Sequence, residues 1–248
     1  MREKKIIMTG GSGRFAQIFK KIKNNKKIYY PSKKDLNLKN LNSIEKYVKK
    51  IKPDYLIHCA ALSRPMDIHE KNIEESITTN IIGTSNIVRI CSQEKIKLIY
   101  FSTNYVYPGI IGNYKENSAL YPVNNYAWSK LGGEASVKLY KNSLIIRVCM
   151  TEKPFVHKSA FANVKSNFIY HEDVPKLLFK LLNEFGIINL GGKAQTIYNF
   201  AKKDNKQIKK AYLKKKILKG MPFNSTMNLK KLNFILKTKR LLKIKRKK

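Results

Sequence analysis

Short apolar runs alternate along the chain with stretches in which apolar positions recur every three or four residues. Ile6-Ile7-Met8 is the first run, and it leads into Thr9-Gly10-Gly11-Ser12-Gly13-Arg14-Phe15-Ala16. Beyond it, Phe15, Ile18, Phe19 and Ile22 share one helical face, so the pattern predicts strand, glycine turn, helix. Ile28-Tyr29-Tyr30 predicts a second strand. Leu41 to Ile51 predicts a helix that Asn42 or Ser43 caps, that turns Ile44, Val48 and Ile51 inward, and that Pro53 ends. Tyr55 to Ala61 is the next buried strand, followed by one long helix from Ile73 to Cys91 and a strand at Leu98 to Phe101. A loop with Tyr105, Tyr107, Pro108 and Gly109 precedes a helix from Asn125 to Tyr140 and the strand Leu144-Ile145-Ile146.

Short strands apolar on both faces and separated by helices imply a parallel sheet covered on both sides, an α/β doubly wound (Rossmann) fold. From Thr151 to Asn167 the pattern loosens. A helix from Asp173 to Phe185 then turns Val174, Leu177, Leu178, Leu181 and Leu182 inward, and Ile187 to Leu190 reads as a strand adding to the sheet region. Small helices near Ile197 to Lys203 and Leu229 to Leu236 precede a frayed basic end from Lys239 to Lys248. The expected division is a dinucleotide-binding domain over 1–150, a small substrate lobe over 151–236 and a basic tail over 237–248.

Composition refines this reading. The 248 residues carry 51 Lys+Arg against 16 Asp+Glu, a formal net charge of +35, yet 43% are hydrophobic and 10% aromatic, enough for a sizeable core. No apolar run approaches the roughly 18 residues of a membrane span, and Met1 to Gly10 does not resemble a signal peptide, so a cytoplasmic protein is expected. Cys59, Cys91 and Cys149 are far apart and in no CxxC spacing, which favours buried free thiols over disulfides or a metal site. The basic excess raises nucleic-acid binding, but only seven of the cations are Arg, and base readout favours the guanidinium fork. The Lys-rich stretch from Lys202, where Asp204 is the single acid, reads as a solvated surface or as a polyanion-binding tail.

Two constellations carry chemistry. At the glycine turn, Gly10 and Gly13 let the backbone approach a pyrophosphate, whose charge then sits at a helix N-terminus. In Tyr126-Ala127-Trp128-Ser129-Lys130 the i, i+4 spacing puts a phenol and an ammonium on one helical face, where the ammonium lowers the phenol from its usual pKa of about 10. Tyr126 can then exchange a proton with a substrate oxygen to which Thr103, at a strand end, hydrogen-bonds. An isolated YxxxK is often a plain surface pair; the glycine turn upstream and the Ser102-Thr103 strand end favour the chemical reading.

Together with Cys59-Ala60-Ala61, Asn80, Gly83-Thr84, Ser102 to Tyr107, Leu131-Gly132-Gly133-Glu134, Gly186 to Gly192 and Asn224 to Asn228, these motifs resemble extended short-chain dehydrogenase/reductases. Within them the chain is most similar to dTDP-4-dehydrorhamnose reductase and its sugar-nucleotide-binding relatives. The resemblance implies that Gly13, Arg14 and Phe15 meet the pyrophosphate of NADPH or NADH, that Asp35 and Leu36 border the adenine, and that Ala60, Ala61 and Leu62 line the adenosine ribose. It makes Tyr126 the proton donor, gives Lys130 the nicotinamide ribose, and sets Thr103 and Asn104 at the substrate, a nucleotide-linked 4-keto sugar destined for surface polysaccharide. Lys33 and Lys34 stand where the family places an acid for the ribose 2′-hydroxyl, which tilts the cofactor toward NADPH.

Three departures stand out: Asn104 replaces the family's Asp, His58 replaces its Asn, and the segment from Arg147 to His171 is short, trimming the sugar-selecting pocket. His58 reads as a satisfied structural residue. Three readings follow: a reductase, a related epimerase or dehydratase, or a non-catalytic dinucleotide-binding regulatory or scaffold member. Retention of Thr103, Tyr126 and Lys130 favours the first. The sequence is equally compatible with a monomer and a homo-oligomer.

Overall fold

The computed structural model describes residues 3–22, 24–214 and 220–245. In chain order, β1 (Lys5–Thr9), α1 (Arg14–Lys21), β2 (Lys27–Tyr29), α2 (Leu41–Ile51) and β3 (Tyr55–His58) lead to two short helices, α3 (Ile68–Lys71) and α4 (Ile73–Ser76). A π-helical turn (Ile77–Ile82), α5 (Gly83–Gln93), β4 (Lys97–Thr103), a 3-10 turn (Asn104–Val106), α6 (Asn125–Leu139) and β5 (Ser143–Val148) follow. The remainder holds β6 (Met150–Thr151), β7 (Ser159–Phe161), β8 (Lys165–Ser166), β9 (Ile169–Tyr170), α7 (Val174–Leu181), β10 (Gly186–Leu190), β11 (Gln195–Thr196), α8 (Ile197–Ala201), β12 (Lys209–Ala211) and α9 (Lys230–Lys245).

The central sheet has six strands in the order β10-β5-β4-β3-β1-β2, and β1 pairs in parallel with β2 and β3, as β3 does with β4. This is the doubly wound arrangement expected, and its strand order reverses between β1 and β3. Among the described residues no helix is long and apolar enough to cross a membrane.

By its contacts the chain divides into two compact units, the first comprising Met1–Ser102, Asn125–Ile146 and Glu184–Gly186. Its strands are dry: Ile6, Ile7, Met8, Leu56, Ile57, Leu98, Ile99 and Tyr100 are fully buried, which is why their sequence runs are continuously apolar rather than alternating. Phe15 and Phe19 of α1 pack inward, and the Phe15 and Phe101 rings lie 5.4 Å apart. The cap of α2 is Asn40, whose side chain accepts from Ser43 N, two residues ahead of the expected cap. Ser43 instead uses its hydroxyl to accept from Asn37 N.

The long helix expected from Ile73 to Cys91 is broken by the π-helical turn. The wide turn lets α6 approach at two glycines. A Cβ on Gly133 would fall 2.6 Å from Asn80 O and 2.7 Å from the Tyr100 hydroxyl, and one on Gly132 would fall 2.8 Å from the tip of Ile81.

The second unit comprises Thr103–Asn124, Arg147–Asn183 and Ile187–Lys248. Where the sequence pattern loosens, the chain forms small ribbons: β6 with β9, β7 with β12 and β8 with β11. They surround an apolar cluster that includes Phe155, Ala160, Val164, Ile197, Phe200 and Leu213. The second unit also holds a buried polar network. Arg147, 2% exposed, donates to the Tyr107 hydroxyl and Glu116 O; Tyr107 donates in turn to Asn189 Oδ1 and stacks on Tyr114 at 5.0 Å.

Three helices differ in length from expectation. α7 stops at Leu181 because the chain must turn back through Gly186, at φ +75°, into β10. α8 closes at Ala201. α9 overruns Leu236 to reach Lys245, since Lys, Leu and Arg are good helix formers and the chain holds no breaker there. The expected frayed end is thus helical as far as Lys245, and its last three residues lie outside the described ones.

The close approach at Gly133 sets a stability expectation. Gly133→Ala meets rigid backbone and should cost about 1–3 kcal/mol in urea unfolding. Gly132→Ala meets only the movable end of Ile81 and should cost less.

Candidate active site

The glycine turn lies at the carboxyl ends of β1 and β3, the switch point of the strand order, where doubly wound sheets bind ligands. Gly10 adopts φ +76°, and a Cβ there would sit 3.0 Å from the Ala60 backbone. A Cβ on Gly11 would sit 2.5 Å from Tyr30 O. Gly13 N donates to Gly10 O at 2.8 Å, closing the turn, and Gly13 caps α1 with no side-chain hydrogen bond to the first amides. Thr9 Oγ1 accepts from both Cys59 N and Ala60 N, so the chain leaves the sheet after His58 rather than continuing to Ala61 as expected. Bare glycine backbone, uncapped helix amides and an exposed Arg14 form a cradle of the kind that suits a pyrophosphate. Phe15 points into the core beneath it.

The loop after β3 is fastened to α6 by one carboxamide. Asn80, fully buried in the π-helical turn, accepts from Leu62 N at 2.8 Å and donates to Leu62 O at 2.9 Å and Ser129 Oγ at 2.8 Å. Ser129 Oγ in turn donates to Tyr126 O. A second strap comes from α3. Asn125 Nδ2 donates to Glu70 Oε2, and the buried His69 ring lies 5.2 Å from the Tyr126 ring while its Nδ1 meets Ser76 Oγ at 2.7 Å. Tyr126 is thereby held from its backbone and its ring, and it remains half-buried. The sequence pattern assigns no role to Asn80, Ser129 or His69. The readable trace of the first two was a polar pair on otherwise inward-facing positions.

Lys130 is 3% exposed, with Nζ 4.2 Å from the centre of the Tyr100 ring. Burial pushes its ammonium down to about 7, against smaller opposing effects from Cys59 and Glu134. Glu134, one turn on and also buried, accepts from Ser102 Oγ at 2.7 Å. Burial, with Lys130 adding to it, pushes His58 down to about 3, and both its ring nitrogens are engaged, Nδ1 by Thr9 Oγ1 and Nε2 by Thr84 Oγ1. His58 is therefore a neutral structural bridge. Burial raises the Cys59 thiol, keeping it protonated, and all three cysteines are free.

The first unit thus gathers Gly10, Gly13, Arg14, Phe15, Ala60, Ala61, Leu62, Tyr126 and Lys130 around the switch point. Leu36 is buried on the loop after β2, whereas Asp35 is exposed and its carboxylate accepts from Ser32 N and Oγ, which holds it below the usual carboxylate range. Thr103 and Asn104 belong to the second unit. Thr103 Oγ1 accepts from Tyr105 N, and the buried Asn104 amide donates to Ser225 Oγ at 2.8 Å and Ser166 Oγ at 3.3 Å. Among the described residues no cluster of His, Cys, Asp and Glu could hold a metal.

A glycine turn at a switch point, with tyrosine and lysine one turn apart on a later helix, defines an extended short-chain dehydrogenase/reductase. Residues 4–157 match the family described as RmlD substrate binding domain, and the chain belongs to it. Over 102 residues, 41% of the chain, it is 35% identical to methionine adenosyltransferase 2 subunit beta of Xenopus laevis, covering 30% of that protein. Over 97 residues, 38% of the chain, it is 33% identical to a probable low-salt glycan biosynthesis reductase, Agl14, of Haloferax volcanii, covering 32% of it. The matches span about a third of the length of these two curated relatives. A dTDP-4-dehydrorhamnose reductase from Bacillus anthracis, solved with NADP, superposes with a TM-score of 0.84 at 24% identity, over 94% of this chain and 92% of that one.

The depressed Lys130 links stability to pH. Its folded pKa of about 7 lies below the unfolded value of about 10.4, so between the two the unfolded chain binds a proton that the folded chain lacks. Stability should therefore rise from pH 7 toward pH 10 on this account, and Lys130→Met should remove that part of the slope in denaturant titrations at pH 7, 8 and 9.

Proposed function

We propose that the protein is an NAD(P)H-dependent reductase of a nucleotide-linked 4-keto sugar, of the dTDP-4-dehydrorhamnose reductase kind, supplying surface polysaccharide precursors. The observation that carries this reading is Lys130. Burying an ammonium over the Tyr100 ring costs stability, and a lysine held that way one helical turn from Tyr126 is of the kind that supports proton transfer.

Gly13, Arg14 and Phe15 would receive the cofactor pyrophosphate, Asp35 and Leu36 the adenine, and Ala60 to Leu62 the adenosine ribose. The bound reduced nicotinamide would supply the hydride to the sugar C4. Tyr126 gives its phenolic proton to the oxygen formed there, so that a carbonyl becomes a hydroxyl. Lys130 favours the phenolate left behind and holds the nicotinamide ribose. Thr103 orients the keto oxygen, and Asn104 borders the substrate through the turn that it anchors on Ser225. Arg14, Lys33 and Lys34 are exposed cations while the Asp35 carboxylate is occupied by Ser32, which favours NADPH with its 2′-phosphate over NADH.

A second reading has one observation in its favour, the 35% identity to a protein named as a subunit of methionine adenosyltransferase 2. On that reading the chain binds the dinucleotide and acts as a partner of another enzyme.

One assay separates them: the protein with NADPH or NADH and a panel of dTDP- and UDP-linked 4-keto sugars, followed by loss of reduced-nicotinamide absorbance. The reductase reading expects turnover of at least one sugar. Tyr126→Phe should slow it by roughly 10²–10⁴-fold while the dinucleotide still binds. Wild-type turnover by that variant refutes the assigned proton donor; dinucleotide binding with no sugar reduced selects the subunit reading.

A further inference from the structure

The structure gives the basic C-terminal stretch a defined shape. α9 is docked on one side by Leu232, 2% exposed, by the half-buried Ile235 and Leu236, and by two lysines that donate to backbone carbonyls: Lys231 Nζ to Ile187 O at 2.7 Å and Lys239 Nζ to Lys180 O at 2.6 Å. These positions fix its rotation. At 100° per residue, Lys230, Phe234, Lys237 and Leu241 fall on one outward stripe, spaced i, i+4, i+7, i+11. Phe234 is 72% exposed and Leu241 53% exposed. Arg240 flanks the stripe, and the only acid from Lys202 onward, Asp204, is engaged by Lys153 and Tyr170.

We propose that this outward face of α9 docks on an anionic lipid bilayer. Two large apolar side chains set between lysines on a polar stripe match the interface of a bilayer. There phenyl and isobutyl groups enter the headgroup boundary, and lysine stems lie along it with their ammonium groups at the phosphates. Nucleic acid fits less well: leucine offers no face for base stacking, and Arg240 is the sole guanidinium on the described part of the helix. A second copy of this chain fits poorly too, because the stripe would face its own lysines with no carboxylate among them.

A net charge of +35 attracts anionic surfaces whatever the face presented, so the test must leave the cations untouched. Flotation of the full chain with vesicles of phosphatidylcholine plus phosphatidylglycerol should show binding that phosphatidylcholine alone does not support. Phe234→Ser with Leu241→Ser, which keeps every charge, should weaken that binding about tenfold or more. Both sites are exposed, so the unfolding transition of the variant should match wild type. As a reporter that does not depend on loss of affinity, Phe234→Trp in a Trp128→Phe background should shift its emission to the blue on the mixed vesicles. Unchanged vesicle affinity of the double serine variant together with an unshifted tryptophan overturns the proposal. So does a blue shift that grows with protein concentration in the absence of vesicles, which would assign the face to self-association. Tighter binding to poly(U) RNA than to the vesicles, lost in the same serine variant, also overturns it.

Discussion

The carboxamide of Asn80 is the constraint on which the proposed catalytic geometry rests. Two separate segments meet on it, the loop after β3 through both backbone groups of Leu62 and α6 through Ser129, while Thr84 of α5 donates its hydroxyl to the Asn80 backbone carbonyl at 2.7 Å. Each bond is worth only about 1 kcal/mol net, but the group is fully buried, and leaving any partner unsatisfied costs about 1–3 kcal/mol. That asymmetry makes the arrangement all-or-none. It also dictates sequence elsewhere. Delivering Asn80 to this place takes the extra backbone width of a π-helical turn, and bringing α6 close enough to answer it requires glycine at 133.

The same packing sets the electrostatics. Lys130, Glu134 and His58 are ionisable groups enclosed in the first unit. His58 and Glu134 have hydroxyl partners, whereas Lys130 lies over the face of the Tyr100 ring. The uncharged imidazole suits its place between two threonines. The ammonium does not suit its place in the same way, and it is the group whose charged form is penalised into the neutral pH range. An anionic ligand arriving at the switch point would shift that balance back toward the ammonium, so binding and proton affinity reinforce each other. The surface charges work on a different scale. Pairs such as Lys49 with Glu45 and Lys71 with Asp67 are exposed and contribute little.

What the sequence made legible follows from which forces are local. Ile6 to Met8, Tyr55 to Ile57 and Leu98 to Phe101 announce strands because burial on both faces leaves no polar positions, and Gly10 to Phe15 announces its turn because glycine backbone is needed there. The π-helical turn is not legible, since Ile77 to Ile82 carries neither proline nor glycine to mark a break in the helical run. The cap at Asn40 was missed because Ser43 is an equally good capping type, and it serves the cap as donor rather than as acceptor. Between Met150 and Tyr170 the strands are two or three residues long, too short for alternation to register. The helix at Leu229 to Leu236 is legible from its apolar spacing, but its continuation to Lys245 is not, because the dense charge from Lys237 onward suggests a frayed end whereas Lys, Leu and Arg all propagate a helix.

Asn104 anchors the turn that carries Thr103. Its amide offers N–H donors and spends them on Ser225 and Ser166, the latter donating onward to Cys149 Sγ at 3.1 Å. A carboxylate could not donate to these acceptors, and it would have carried a charge into a site that is 1% exposed. The amide therefore ties the turn that carries Thr103 to two distant stretches of the second unit, at Ser166 and Ser225. Satisfying buried polar groups holds such a turn still, as the Arg147, Tyr107 and Asn189 network does in the same unit. The backbone at Thr103 is thus fixed by hydrogen bonds to residues far along the chain, at Ser166 and Ser225, rather than by packing of its own short turn.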